Sequence, residues 1–258
     1  MRFVAVTAAL LGAALPLAAQ ADTGLYGSIN LHGVSTDDVD AVIYAPDGTI
    51  FGSISESKVA LQAAPAPANS DIIEGSWDLK PTLGVSGSIG YDFGMVRAEA
   101  ELAYARSRVR TFNVTQLTGF GGSTTTDFGD GSGDACLYLG LTACSFTGNA
   151  VTMENTHLRQ LSGMANVWVD IPLEAPIEPY LGGGIGIMGL EVDGEGKSVF
   201  AWQVGAGLAY KLSDTIAITA DFRHRESDAI EIDFGGGEGV NFDKVKSNTY
   251  GVGLRVNF

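Results

Sequence analysis

The last nine residues, Tyr250-Gly-Val-Gly-Leu-Arg-Val-Asn-Phe258, place large apolar side chains at 250, 252, 254, 256 and 258. Successive side chains of a strand point to opposite faces, so Tyr250, Val252, Leu254, Val256 and Phe258 share one face, while Gly251, Gly253, Arg255 and Asn257 share the other. One face suits lipid and the other a polar lumen. After the N-terminal segment no run reaches the ~18 consecutive apolar residues of a membrane helix, because Gly, Asp or a charge interrupts each one. A membrane crossing would therefore be made by strands. In hydrocarbon every backbone polar group needs an internal partner, and strands meet that demand only by closing into a barrel.

At the other end, Arg2 precedes an apolar stretch from Phe3 to Leu17, and Ala19-Gln20-Ala21 forms a small-x-small cleavage site before Asp22. The pattern predicts an export signal over residues 1–21, removed on maturation, and a single barrel domain over 22–258. Cleavage would remove one of 15 basic residues and none of 30 acidic ones, taking the net charge from −15 to −16. That balance argues against nucleic acid as a partner. Cys136 and Cys144 are the two cysteines of the chain. In an exported protein their spacing predicts a disulfide pinning a surface hairpin.

Alternating segments separated by short and long connections in turn are the signature of an even-stranded membrane barrel. Eight such segments can be placed: 25–33, 81–93, 96–105, 158–171, 180–190, 200–210, one marked by Ile216, Ile218, Ala220 and Phe222, and 250–258. In the third, Val96, Ala98, Ala100, Leu102 and Tyr104 alternate with Arg97, Glu99 and Glu101. Short turns fall around Gly94, Pro172 to Pro179 and Ser213-Asp214. Tyr91, Phe93, Tyr180, Tyr210 and Phe258 gather at the strand ends nearest those turns and read as an interfacial aromatic girdle. A soluble barrel with apolar residues inside is the competing fold. The girdle and the terminal Phe favour the membrane arrangement, an all-β, eight-stranded antiparallel transmembrane barrel with long extracellular loops.

Gly87-Ser-Ile-Gly-Tyr-Asp-Phe-Gly94, Arg97-Ala-Glu-Ala-Glu101, Met164-Ala-Asn-Val-Trp168, Pro179-Tyr-Leu-Gly-Gly-Gly-Ile-Gly186 and the Phe258 ending together resemble the OmpA-like outer-membrane β-barrel superfamily. Within it they are most similar to opacity-type and porin-like surface antigens. The resemblance implies the cell outer membrane of a Gram-negative bacterium, extracellular loops, and no family-wide catalytic set or cofactor. The terminal strand, Tyr250, Val252, Leu254, Val256 and Phe258, also resembles the signal read by the barrel-assembly machinery. No wall-anchoring domain is expected after Phe258.

Alternation sends Arg97, Lys211, Arg223, Arg225 and Arg255 inward, against Asp92, Glu99, Glu101, Asp170 and Asp221. A charge left unpaired in a confined interior costs several kcal/mol, so a balanced set fits a narrow, salt-bridged lumen better than an open pore. An eight-stranded barrel is just wide enough for side chains to fill. A narrow channel for small solutes or ions is the alternative. Of the remaining acidic residues, Asp37, Asp38, Asp40 and Asp47 and then Glu226, Asp228, Glu231, Asp233, Glu238 and Asp243 fall in outside loops. They read as a solvated surface, since no defined calcium-loop spacing occurs among them. Loops over 34–79 and 111–157 are longer than connections need, and they are the candidate surface for an extracellular ligand, beside outer-membrane lipid and lipopolysaccharide. Ala63-Ala-Pro-Ala-Pro-Ala-Asn69 reads as a spacer. Some barrels of this size are lipid A deacylases with a Ser nucleophile and a His base. Here His224 and Ser227 are three apart and point to opposite faces of a strand, so no catalytic residue and no metal ligand is assigned.

Overall fold

A computed structural model describes residues 23–46, 70–119, 123–125, 144–147, 150–153, 156–173, 175–192 and 195–258. The export signal and the Ala63–Asn69 spacer lie outside the described residues, as does the disulfide, since Cys136 is not among them.

Eight strands close a ring by antiparallel pairing: β1 (Gly24–Thr36), β4 (Thr82–Asp92), β5 (Val96–Gly119), β9 (His157–Asp170), β10 (Ile177–Val192), β11 (Glu195–Lys211), β12 (Ile216–Ser227) and β15 (Lys246–Asn257). The ring order is β5-β4-β1-β15-β12-β11-β10-β9, and β9 returns to β5. Directly paired residues trace the ring from Tyr26 through Gly90, Glu99, Asn166, Gly184, Gln203, Arg225 and Ser247 to Thr36, ten residues further along β1. With ~3.3 Å per residue and ~4.7 Å between strands, that stagger tilts the strands by roughly 40° and gives a backbone radius of about 8 Å. Such a cylinder has room for side chains and little else.

The strands alternate because one face meets lipid. Ile29, Leu83, Ile89, Val167, Ile185, Leu208 and Val252 all stand exposed on the outer wall, and Phe93, Tyr91, Tyr210 and Phe258 ring the end that carries the short turns. At the first of those turns, Gly94 has φ of 103° and its N–H donates to Asp92 Oδ1 at 2.7 Å, a conformation that an L side chain resists. Tyr180 departs from the expected girdle. It is buried inside the barrel, because β10 exposes Leu181, Ile185 and Ile187 and parity then turns residue 180 inward. The same inward face is glycine at 182, 184 and 186, where an added Cβ would run into Trp168, Asn166 and Met164 of β9.

Outside the membrane the described parts of the long connections form strands. β2 (Val39–Pro46), β3 (Ser70–Leu79), β13 (Ile230–Gly235) and β14 (Glu238–Phe242) join the outer half of β5 in a second sheet, in the order β13-β14-β2-β3-β5. Among the described residues three short strands extend it: β6 (Ser123–Thr125) and β8 (Ala150–Met153) pair with β5, and β7 (Cys144–Thr147) pairs with β8. This corrects the reading of 34–79 and 111–157 as plain loops. The physical reason is an apolar core, in which Val39, Ile73, Trp77, Val109, Phe112, Val151, Ile230 and Phe242 are buried together above the barrel. Trp77 packs edge-on against Phe112 and Phe242, with centroids at 6.2 and 5.2 Å. Gly236 and Gly237, with φ of 69° and 91°, form the two-residue turn between β13 and β14. Positive φ at both positions is the hairpin turn that matches strand twist.

Candidate functional site: the lumen and its outer cap

Four strands bring the inward charges together. Arg97 of β5 donates to Asp170 of β9 through Nε at 2.6 Å and Nη2 at 2.8 Å, a bidentate pair. Its guanidinium also lies 5.5 Å from the Tyr26 ring centroid and 5.0 Å from that of Tyr180. Two residues further out, the Glu99 carboxylate accepts from Tyr26 Oη (2.8 Å), Trp168 Nε1 (2.8 Å), Asn166 Nδ2 (3.0 Å) and Ser88 Oγ (3.0 Å). This carboxylate is held by neutral donors.

Glu101 is the hub of the next level. Arg223 Nη1 donates to its Oε2 and Arg225 Nη2 to its Oε1, the latter at 3.0 Å. Arg223 Nε reaches Asp221 at 3.0 Å, and Tyr180 Oη donates to the same carboxylate at 3.3 Å. Arg225 continues to Gln203 Oε1 at 2.7 Å and Ser162 Oγ at 2.6 Å. Gln203 in turn donates to Asn166 at 2.6 Å, so charged and amide groups form one connected network. Arg97, Arg223, Arg225 and Arg255 face Glu99, Glu101, Asp170 and Asp221, and all eight are buried. Opposite charges match in number, as a closed interior demands.

Arg255 sits nearer the short-turn end, where Nη2 donates to Glu178 Oε2 at 3.2 Å. Glu178 also lies 3.3 Å from Lys211 Nζ. Sequence reasoning missed Glu178, because Pro176 and Pro179 made 172–179 look like a turn while β10 already begins at Ile177. Conversely Lys211 is an exposed rim residue, and Asp92 is half-buried at the Gly94 turn, so neither belongs to the buried set.

Beyond this network a cavity of about 20 Å³ is lined by His32, Glu101, Gln160, Arg223, Arg225 and Thr249 among others, the room of about one water molecule. Outward of it the lumen becomes apolar. Met164, Leu158, Met188, Leu190 and Ala201 of the barrel are continuous with Trp77, Val109, Phe112 and Phe242 of the outer sheet. Among the described residues no group of three or more His, Cys, Asp or Glu side chains is placed to hold a metal ion.

His224 points out of the barrel beside Trp202, with ring centroids at 5.7 Å and Nδ1 2.9 Å from Asn248 Oδ1. Ser227 is buried on the other face and donates to the carbonyl of Asp228 at 3.0 Å. On the terminal strand, Tyr250, Val252, Leu254 and Phe258 are exposed on the outer wall, and Val256 of the same face is half-buried.

With this geometry in hand, residues 49–228 match the family described as surface antigen. The chain belongs to the surface antigen family. As such, with a closed ring and a continuous lipid-facing band, it is a β-barrel of the Gram-negative outer membrane. No curated protein matches the sequence. Among solved structures, it is similar to Neisserial surface protein A (NspA), at 12% identity, covering 93% of this chain and 100% of that one with a TM-score of 0.47. It is also similar to the outer membrane protein OprG from Pseudomonas aeruginosa, at 13% identity, 92% and 98% coverage, and TM-score 0.44. A third is the outer membrane protease OmpT from Escherichia coli, at 11% identity, 94% and 99% coverage, and TM-score 0.41.

Proposed function

We propose that this surface antigen is a non-conducting outer-membrane anchor that presents a folded β-platform to the cell's surroundings, with a surface-interaction role of the adhesion or antigen type. The observation that carries the reading is the apolar core shared by β2, β3, β13, β14 and the outer half of β5. Ordering several connections around a common core costs conformational entropy that a mere connection need not incur. A rigid platform gives a binding surface a fixed shape, and its partner would be an extracellular ligand reached through 34–79 and 111–157. The balanced ion pairs and the apolar fill above them support a lumen that holds the barrel in register and passes no solute. The opposite directions of His224 and Ser227 support a non-enzymatic role. Tyr250 to Phe258 is assigned to recognition by the assembly machinery, and residues 1–21 to export.

The test is adherence of intact cells carrying the protein to immobilised proteins and glycans, compared with cells carrying a chain that lacks 112–156. Adherence lost in the deletion, with the barrel still showing a gel-mobility shift on boiling, is the expected result. Equal adherence of cells with and without the protein across all surfaces would remove the platform's role.

A further inference from the structure

The outward face of β5 changes character at one point. Val96, Ala98, Ala100, Leu102 and Tyr104 face lipid, and the next three outward positions are Arg106, Arg108 and Arg110, all exposed. At the barrel's tilt the step from Tyr104 to Arg106 is about 5 Å along the membrane normal, so the arginines begin where the outer leaflet's headgroups begin. The neighbouring strand adds to them. Arg106 is paired directly with Arg159 of β9. Like charges directly opposite on one face of a ladder destabilise the pairing, so this arrangement calls for an anion between them. Asp78 lies 3.6 Å from Arg110, and Glu191 pairs with Arg159. For Arg106 and Arg108 no acidic partner occurs among the described residues.

We propose that Arg106, Arg108, Arg110 and Arg159 form a docking site for the phosphorylated headgroup of lipopolysaccharide on the outer wall of the barrel. Two features select this occupant. Arginine forks match phosphate oxygens in a bidentate manner. The row also stands directly above Leu102, Tyr104 and Leu161, so a ligand satisfying both surfaces carries an anionic head on apolar chains. A free polyanion is disfavoured by the net charge of −15 carried by the whole chain. The site lies on the wall beneath the outer sheet, and it rests on the outer-membrane placement alone, independent of any ligand of the platform.

The experiment uses the full chain in detergent, with purified lipopolysaccharide and its enzymatically dephosphorylated form as probes. Intact lipopolysaccharide should bind, and loss of its phosphates should weaken binding by at least tenfold. R106Q/R108Q should weaken it by about fivefold for each arginine removed. K244Q/K246Q, on the opposite side of the outer rim, should leave it unchanged. Equal binding of the two probes by the unaltered protein would overturn the proposal, and that comparison stands even if the double variant fails to fold. Equal binding by a folded R106Q/R108Q variant would overturn it as well.

Discussion

Within one chain, two interiors are built on opposite rules. In the membrane half, Arg97, Glu99, Glu101, Arg223 and Arg225 face inward and Leu102, Val167 and Leu208 face outward; in the outer half, Val109, Phe112, Ile73 and Phe242 face inward and Arg106, Arg108 and Arg110 outward. The strand β5 passes through both. Its alternation runs unbroken from Val96 to Arg110 and then slips by one residue at a bulge opposite Asp78 and Leu79, which turns Phe112 and Val114 inward, while the chemistry of each face changes because the medium outside has changed from lipid to water. Period-2 alternation therefore tells which residues share a face, and only the surrounding solvent decides which face is apolar.

Breaking the polar interior should have the largest effect. Glu101→Leu leaves Arg223 and Arg225 without their shared carboxylate, and losing one member of a buried charge cluster costs about 3–5 kcal/mol. Urea unfolding of the protein in lipid vesicles, followed by tryptophan fluorescence, should show the whole barrel shifting to a lower midpoint.

In the outer core, Ile73→Ala is expected to cost about 2–4 kcal/mol, but locally. Limited proteolysis should open the outer sheet while the gel-mobility shift on boiling is retained. If that shift disappears too, the two interiors are one cooperative unit and the contrast between them fails.

A sharper comparison sets one wall against the other. Gly182→Ala drives a methyl group into Val167 and Trp168 on the inner face, an overpacking worth about 1–3 kcal/mol. On the outer face, Gly163 has nothing within 4 Å of a new Cβ. Gly163→Ala should stay within about 0.5 kcal/mol of the unaltered protein in the same titration.

The smallest effect is expected at the rim. Lys211→Ala removes an exposed partner of Glu178, and the unfolding midpoint should move by less than about 1 kcal/mol equivalent.

The ring strands were legible because each presents a long outward set to lipid, and from Val96 to Tyr104 the contrast with Arg97, Glu99 and Glu101 is complete. The outer strands were not. Val39, Ala41 and Ile43 alternate around Asp40 in a run of only eight residues, and Gly75 interrupts Ile73, Trp77 and Leu79. Gly235-Gly-Gly237 was the available signal for the β13–β14 hairpin, but acidic residues on either side made the segment read as a solvated loop. Within the lumen, the inward parity of Arg97, Glu99, Glu101, Arg223 and Arg225 could be read from alternation. Which carboxylate meets which arginine could not, since Glu101 and Arg225 are 124 residues apart in sequence and meet only through the stagger of the closed ring. Tyr180 was misplaced because an aromatic beside a turn has the composition of a girdle residue, and only the parity of β10 assigns it to the interior.

Conductance of the full chain in planar lipid bilayers tests the proposal of a sealed lumen most directly. The account predicts no discrete open steps above the bare membrane. A steady conductance that changes when Glu101 or Arg223 is altered, in a barrel that is still folded, would contradict it and make the lumen a pathway.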